Sequence, residues 1–139
     1  MEFVEYLKIY NAQEKINKLA KRYKNKKVAL YGAGQFAQCI FQNCDLSKLN
    51  IIAIADKRFE NINQKHNFFG LNCIKPNDLK TMDFDVIFIT NFDVERFIEI
   101  LDESVLYGTK NANVEIRPLI NLNFKDIFLN NIKEQKWQQ

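Results

Sequence analysis

One ten-residue stretch constrains this chain more than any other: Val28-Ala29-Leu30-Tyr31-Gly32-Ala33-Gly34-Gln35-Phe36-Ala37. Four apolar residues suit a buried strand. Two glycines then break it, and from Gln35 the apolar spacing becomes helical, with Phe36, Ala37, Ile40, Phe41 and Cys44 on one face. The stretch fits Gly-x-Gly-x-x-Gly/Ala with alanine in the third place. Each small residue has a physical task in such a turn. Gly32 permits the tight exit from the strand. Gly34 has no Cβ, so a pyrophosphate can approach the backbone. Ala37 lets the helix pack closely on the sheet. The helix opening near Gln35 then presents free backbone N–H groups and the positive end of its dipole to an anion.

The flanking sequence supplies the context this turn requires. Ile51-Ile52-Ala53-Ile54-Ala55 is a second apolar run ending at Asp56. Asp56 lies 19 residues after Ala37, close to the ~20 expected for a carboxylate that binds a ribose diol. A carboxylate there disfavours a 2′-phosphate, so an unphosphorylated ribose is expected. Lys57 and Arg58 follow it and are placed either to meet a phosphate or to open a solvated loop. Residues 85–90 form a third buried strand, ending at Thr90-Asn91 beside the expected switch point of the sheet. Both side chains can hydrogen-bond a ribose or phosphate, and Asn91 can also cap a helix starting near Phe92.

Strands and helices alternate through residues 28–117, and the central strands are continuous apolar runs, as in strands covered on both faces. This predicts an α/β domain with a mostly parallel sheet and right-handed crossovers. Shorter strands are expected at 71–74 and 113–117, before Pro118. Pro76 should open one helical turn, and Gly108 should end the helix marked by Val94, Phe97, Ile98, Leu101, Val105 and Leu106. Residues 57–70 read as an exposed polar loop. Ahead of the core, Ile9, Ala12, Ile16, Leu19 and Tyr23 predict one amphipathic helix over 3–24. After it, Phe124, Ile127, Phe128 and Ile132 suggest a C-terminal helix or tail over 121–139. The whole chain, 1–139, is read as one domain with its core at 27–120, a length that one hydrophobic core can serve.

Charge and absent motifs narrow the function. Residues 1–27 carry eight Lys/Arg and three Glu, while the remainder is slightly acidic. With no aromatic-interleaved basic stretch, this is a solvated helix face rather than a nucleic-acid surface. No run approaches the ~20 apolar residues of a membrane span, and the acidic N-terminus is not a signal peptide, so a cytoplasmic chain is expected. Three cysteines (Cys39, Cys44, Cys73) and one histidine (His66) form neither a disulfide framework nor a zinc motif. There is no phosphate loop of the Gly-x-x-x-x-Gly-Lys type and no Gly-x-Ser-x-Gly elbow. The acidic residue that methyltransferases place before the glycines is replaced by Tyr31. The Tyr23/Lys27 pair precedes the glycine turn, opposite to its order in short-chain dehydrogenases. His66 has no obvious partner for general-base work, and Trp137 is read as a packing residue. No catalytic residue and no metal site are assigned.

The order of Tyr31-Gly32-Ala33-Gly34, Ile52-Ala53-Ile54-Ala55-Asp56, the 69–79 segment with Phe69-Gly70 and Pro76-Asn77-Asp78-Leu79, and Asp85-Val86-Ile87-Phe88-Ile89-Thr90-Asn91 resembles a bacterial group. These are the small Rossmann-like nucleotide-binding domains of polysaccharide and sugar-nucleotide biosynthesis. They are joined to sugar acyltransferases, nucleoside-diphosphate-sugar epimerases or sugar C-methyltransferases. The resemblance covers roughly residues 3–120. It implies a three-layer Rossmann-like fold of about five strands in an order like 3-2-1-4-5. It also implies a site over Gly32, Ala33, Gly34, Gln35 and Phe36 with Asp56, Thr90 and Asn91.

No acyltransferase, epimerase or methyltransferase part accompanies the domain in this sequence. The expectation is therefore an accessory or regulatory module binding NAD(H) or a nucleotide-sugar, either as a homo-oligomer or beside a polysaccharide-biosynthesis enzyme. The alternatives are a non-catalytic scaffold with a vestigial pocket, a minimal NAD-dependent oxidoreductase or epimerase completed by a partner chain, and a ligand-sensing domain.

Overall fold

The computed structural model describes residues 2–121. The predicted C-terminal helix and Trp137 lie outside the described residues. Five strands, β1 (Val28–Tyr31), β2 (Ile51–Ala55), β3 (Cys73–Ile74), β4 (Val86–Ile89) and β5 (Glu115–Pro118), form one sheet in the order β3-β2-β1-β4-β5. Every pairing is parallel. This is the predicted α/β Rossmann-like architecture, with its strand order.

The sheet has two buried faces because its strand residues alternate between two cores. Val28, Leu30, Ile54, Val86 and Phe88 join one, while Ala29, Tyr31, Ala53, Ala55, Ile87 and Ile89 join the other. All residues of β1 and β4 are buried, which is why these strands read as unbroken apolar runs. Helices α1 (Phe3–Ile9), α2 (Ala12–Arg22) and α3 (Gln35–Asn43) contribute to the first core. Helix α4 (Val94–Ile100) packs on the second and runs into a π-helical turn at Leu101–Val105. Pro76 opens a 3₁₀ turn at Pro76–Lys80, as expected, and Leu79 from that turn is wholly buried in the second core.

The strand ends are level. Tyr31 pairs across with Ala55 and Ile89, Ala55 with Ile74, and Ile89 with Pro118. Gly32, Asp56 and Thr90 therefore leave the sheet together at its carboxyl edge. β1 and β4 meet where the strand order reverses, the place where open α/β sheets bind their ligands.

Three details differ from the expectation. The single helix over 3–24 is two helices, broken at Asn11, whose φ of 52° is left-handed. Asparagine enters that region more readily than most residues, and the break allows α1 to pack on α3. Phe3 and Tyr6 there join Phe36 and Phe92 in an aromatic cluster, with ring centroids 4.9–5.5 Å apart. The last strand includes Pro118 rather than stopping before it. β5 is an edge strand, where a missing N–H is tolerated. The 57–70 segment is not wholly exposed, because Phe59 and Phe68 are buried in the first core. His66 lies against Phe59 at 5.1 Å, and its Nε2 is 2.8 Å from the Asn61 carbonyl oxygen, a loop contact. The three cysteines are free and half-buried, and burial raises the thiol pKa of Cys44 and Cys73. Among the described residues no helix is long and apolar enough to cross a membrane.

Candidate functional site

The glycine turn is built by its neighbours. Gly32 has φ +122°, and a Cβ on it would stand 3.0 Å from both the Asn91 nitrogen and the Thr90 carbonyl carbon. The end of β4 is therefore packed directly against this glycine. The Thr90 hydroxyl donates to the Gly32 carbonyl at 2.6 Å, and the Gly32 N–H donates to the Ala55 carbonyl at 2.9 Å. Thr90 is completely buried, so its predicted side-chain chemistry is spent on the turn.

Asp56 fastens the turn from the other side. Its Oδ2 accepts the Ala33 N–H at 2.7 Å. Its Oδ1 accepts the backbone N–H and the Nε–H of Arg58, both at 2.9 Å. The carboxylate thus caps the 3₁₀ turn Lys57–Glu60 and ties it to the glycine turn. Asp56 is 8% exposed, which is low for a carboxylate and is consistent with its three N–H partners.

Gly34 is in a different situation. Its φ is −87°, and the one atom near a Cβ placed on it is an Arg58 terminal nitrogen at 3.3 Å. Gly34 is the N-cap of α3, with no side-chain cap and no acidic residue in the first turn. The N–H groups of Gln35, Phe36 and Ala37 have no carbonyl within the helix to bond. The first helical bond runs from the Gln38 N–H to the Gly34 carbonyl at 3.0 Å. An uncapped helix start of this kind is complementary to a phosphate.

The structure sorts the predicted site residues by what their side chains are free to do. Gln35, Lys57 and Arg58 are exposed. The Phe36 ring is buried against Phe3 and Phe92, which leaves its backbone N–H as the group available to a ligand. Ala33 and Ala37 are buried, as close packing of turn and helix requires. Asn91 is half-buried, and its Oδ1 accepts the Asp93 N–H at 2.9 Å. Helix α4 starts at Val94 with Asp93 at its N-cap, so Asn91 shapes the turn ahead of the helix instead of capping it.

Two contributors escaped the sequence reading. Phe92 carries the loop after β4 onto Phe36 of α3, at 5.4 Å. Its only sequence signal is its place directly after Asn91. Tyr31 ends β1 with its ring edge-on to Phe97 at 5.2 Å. Burial raises its pKa, and the negative charges of Asp56 and Glu60 raise it further. Tyr31 therefore stays a neutral phenol through the physiological range. Its folded-state pKa lies above the unfolded value of 10.0. The resulting stabilisation is complete below pH ~10 and is lost as pH rises through the folded value. Melting curves between pH 8 and 11 should show a declining alkaline limb that is shallower in Tyr31→Phe. Identical limbs would remove Tyr31 from this account.

The uncapped start of α3 and the exposed basic pair Lys57 and Arg58 stand together at the carboxyl edge of the sheet, an arrangement chemically suited to an anion. No curated protein and no solved structure matches the chain. Residues 24–105, from the end of the N-terminal helical region through β4 and α4, match the domain family described as C2185-like, N-terminal. That span is more than half of the sequence, and the chain belongs to this family.

Proposed function

We propose that the chain is a nucleotide-binding module, taking NAD(H) or a nucleotide-sugar over the glycine turn. The observation that supports this best is the α3 start. Its first-turn N–H groups have no side-chain cap, the turn itself carries no acidic residue, and it begins at the β1/β4 reversal of the sheet. The phosphates would lie against Gly34, Gln35 and Phe36 through backbone N–H groups, with the nucleoside toward the end of β2. The sequence resemblance further suggests an accessory or regulatory role in surface-polysaccharide or sugar-nucleotide metabolism, beside a biosynthetic enzyme or as a homo-oligomer.

Catalysis by this chain alone has little support. Of the titratable side chains at the turn, Asp56 is committed to three N–H donors and Tyr31 is held neutral. A scaffold role finds some support in α4, which has no fully buried residue although Val94, Phe97, Ile98 and Ile100 pack on the second core.

A thermal-shift screen against NAD, NADH, NADP, CoA and UDP-, GDP- and dTDP-sugars tests the proposal. A true ligand at ~100 times its dissociation constant should add about 2.7 kcal/mol of stability, or several degrees. A shift with one chemical class names the ligand. No shift with any of them transfers the weight to the scaffold.

A further inference from the structure

We infer that the group read at the end of β2 is a phosphate, taken by Arg58, and that Asp56 is a positioning residue for that arginine rather than the acceptor of a ribose diol. This rests on the nucleotide-binding reading and specifies which part of the nucleotide the site selects.

Reading a diol requires a carboxylate whose oxygens face the ligand. Here Oδ1 of Asp56 already receives two N–H groups, both from Arg58, and Oδ2 receives that of Ala33. The carboxylate is also the inner member of the pair. Its side chain is 11% exposed, against 52% for Arg58. A ligand approaching the glycine turn therefore meets the guanidinium before the carboxylate.

The bonding pattern of the arginine points the same way. Asp56 engages Arg58 through Nε, on one edge of the planar group. The two terminal nitrogens remain, and a guanidinium can bind a phosphate bidentately through them. One of those nitrogens stands over Gly34, 3.3 Å from where a Cβ would be. A phosphate lying on Gly34 would touch it without disturbing the Asp56 bond. Three of the roughly four acceptor positions of the carboxylate are taken, so the second hydroxyl of a diol would have to displace an N–H donor, and in the Arg58 bond that donor is itself charged. Exposed Lys57 adds a second positive charge next to it in sequence.

The phosphate can come from two places on a nucleotide, the diphosphate bridge or a phosphomonoester on the ribose. Both offer the same oxygens to Arg58. The expectation of an unphosphorylated ribose, drawn from the presence of Asp56 alone, carries less weight once Arg58 is seen to cover that carboxylate.

The test uses inorganic pyrophosphate, NAD and NADP as probes, with ¹⁵N NMR titrations of the wild type, Arg58→Gln, Asp56→Asn and the double variant. Pyrophosphate should move the Arg58 Nε–H resonance and the backbone amides of residues 33–36. Its binding should weaken tenfold or more in Arg58→Gln. Asp56→Asn should weaken it as well, but add nothing on top of Arg58→Gln, because its effect runs through the arginine. If Asp56→Asn does not fold, Arg58→Gln decides alone. NADP binding ten times tighter than NAD, with the preference lost in Arg58→Gln, assigns the contact to a ribose phosphate. Equal affinities that fall together in Arg58→Gln assign it to the diphosphate bridge.

Undiminished pyrophosphate binding in Arg58→Gln would overturn the inference. So would a wild-type titration that leaves Arg58 unmoved, or loss of NAD in Asp56→Asn while Arg58→Gln binds it normally. The two proposals fail separately. If a nucleotide stabilises the chain and Arg58→Gln leaves that unchanged, the nucleotide reading stands and this inference falls. If pyrophosphate engages Arg58 but no nucleotide or nucleotide-sugar stabilises the chain, the reverse holds.

Discussion

Gly32→Ala is expected to remove a large part of the stability of the domain, whereas Gly34→Ala, two residues on, should leave it folded. At Gly32 the backbone has φ +122°, where an L side chain is strained, at a cost of about 1–3 kcal/mol. The added Cβ would also meet backbone atoms of Thr90 and Asn91 at 3.0 Å. Backbone cannot swing aside, so an overpacking cost of about 1–3 kcal/mol is added. Together these reach about 2–6 kcal/mol, a large part of the 5–15 kcal/mol typical of a domain.

At Gly34 the φ of −87° is open to alanine. The nearest obstacle is the tip of the Arg58 side chain, which is free to shift. The stability change should stay within about 1 kcal/mol, while any ligand that lies on Gly34 is pushed away. Urea denaturation of both variants, followed by ligand titration of Gly34→Ala, checks the pair. If Gly32→Ala is as stable as the wild type, the close approach of β4 is not a constraint. Destabilisation by Gly34→Ala would make that glycine a packing residue.

Asp56→Ala is the second large effect. If Asp56 were only a ligand contact, its loss would spare the fold. Its hydrogen bonds argue otherwise. Removal strands the Ala33 N–H, whose residue is 1% exposed, and takes away the cap of the Lys57–Glu60 turn. A hydrogen bond to a charged group contributes about 1.5–3 kcal/mol, and an orphaned buried donor costs about 1–3 kcal/mol. The half-exposed Arg58 pair adds little to stability, because solvent screens it. The expected loss is about 2–4 kcal/mol, or roughly 10 °C in melting temperature. Asp56→Asn keeps an acceptor for Ala33 and should lose less than half of that. A melting temperature unchanged in Asp56→Ala would return the residue to a purely ligand-binding role.

These two positions show how much of the site was legible beforehand. The Gly-x-Gly-x-x-Ala spacing and the distance to Asp56 were sufficient to place the turn, the helix start and the carboxylate. They did not distinguish the tasks of the two glycines. Nor did they show that Asp56 is bonded inward, since that depends on how β2 and β1 end beside each other. Thr90 is a similar case. A threonine at a strand end is a candidate ligand contact by composition, and only the packing of β4 on Gly32 commits its hydroxyl to the turn. The break at Asn11 was hidden because the apolar spacing from Ile9 to Tyr23 continues across it.

What the sequence determined by itself is what depends on short-range pattern. Continuous apolar runs specify strands buried on both faces. Two glycines and an alanine specify the strand–turn–helix, and the alternation of elements specifies a parallel α/β sheet. These follow from local sterics and periodicity, which act over a few residues. The tertiary structure decided which polar atoms are already satisfied and which remain for a ligand. Arg58 stands outermost because Asp56 is held by Ala33. Phe36 is withdrawn into the core because Phe3 and Phe92 arrive from segments 33 residues before it and 56 after it. Such contacts join distant parts of the chain, and hydrogen-bond saturation is a property of the assembled neighbourhood rather than of any one residue.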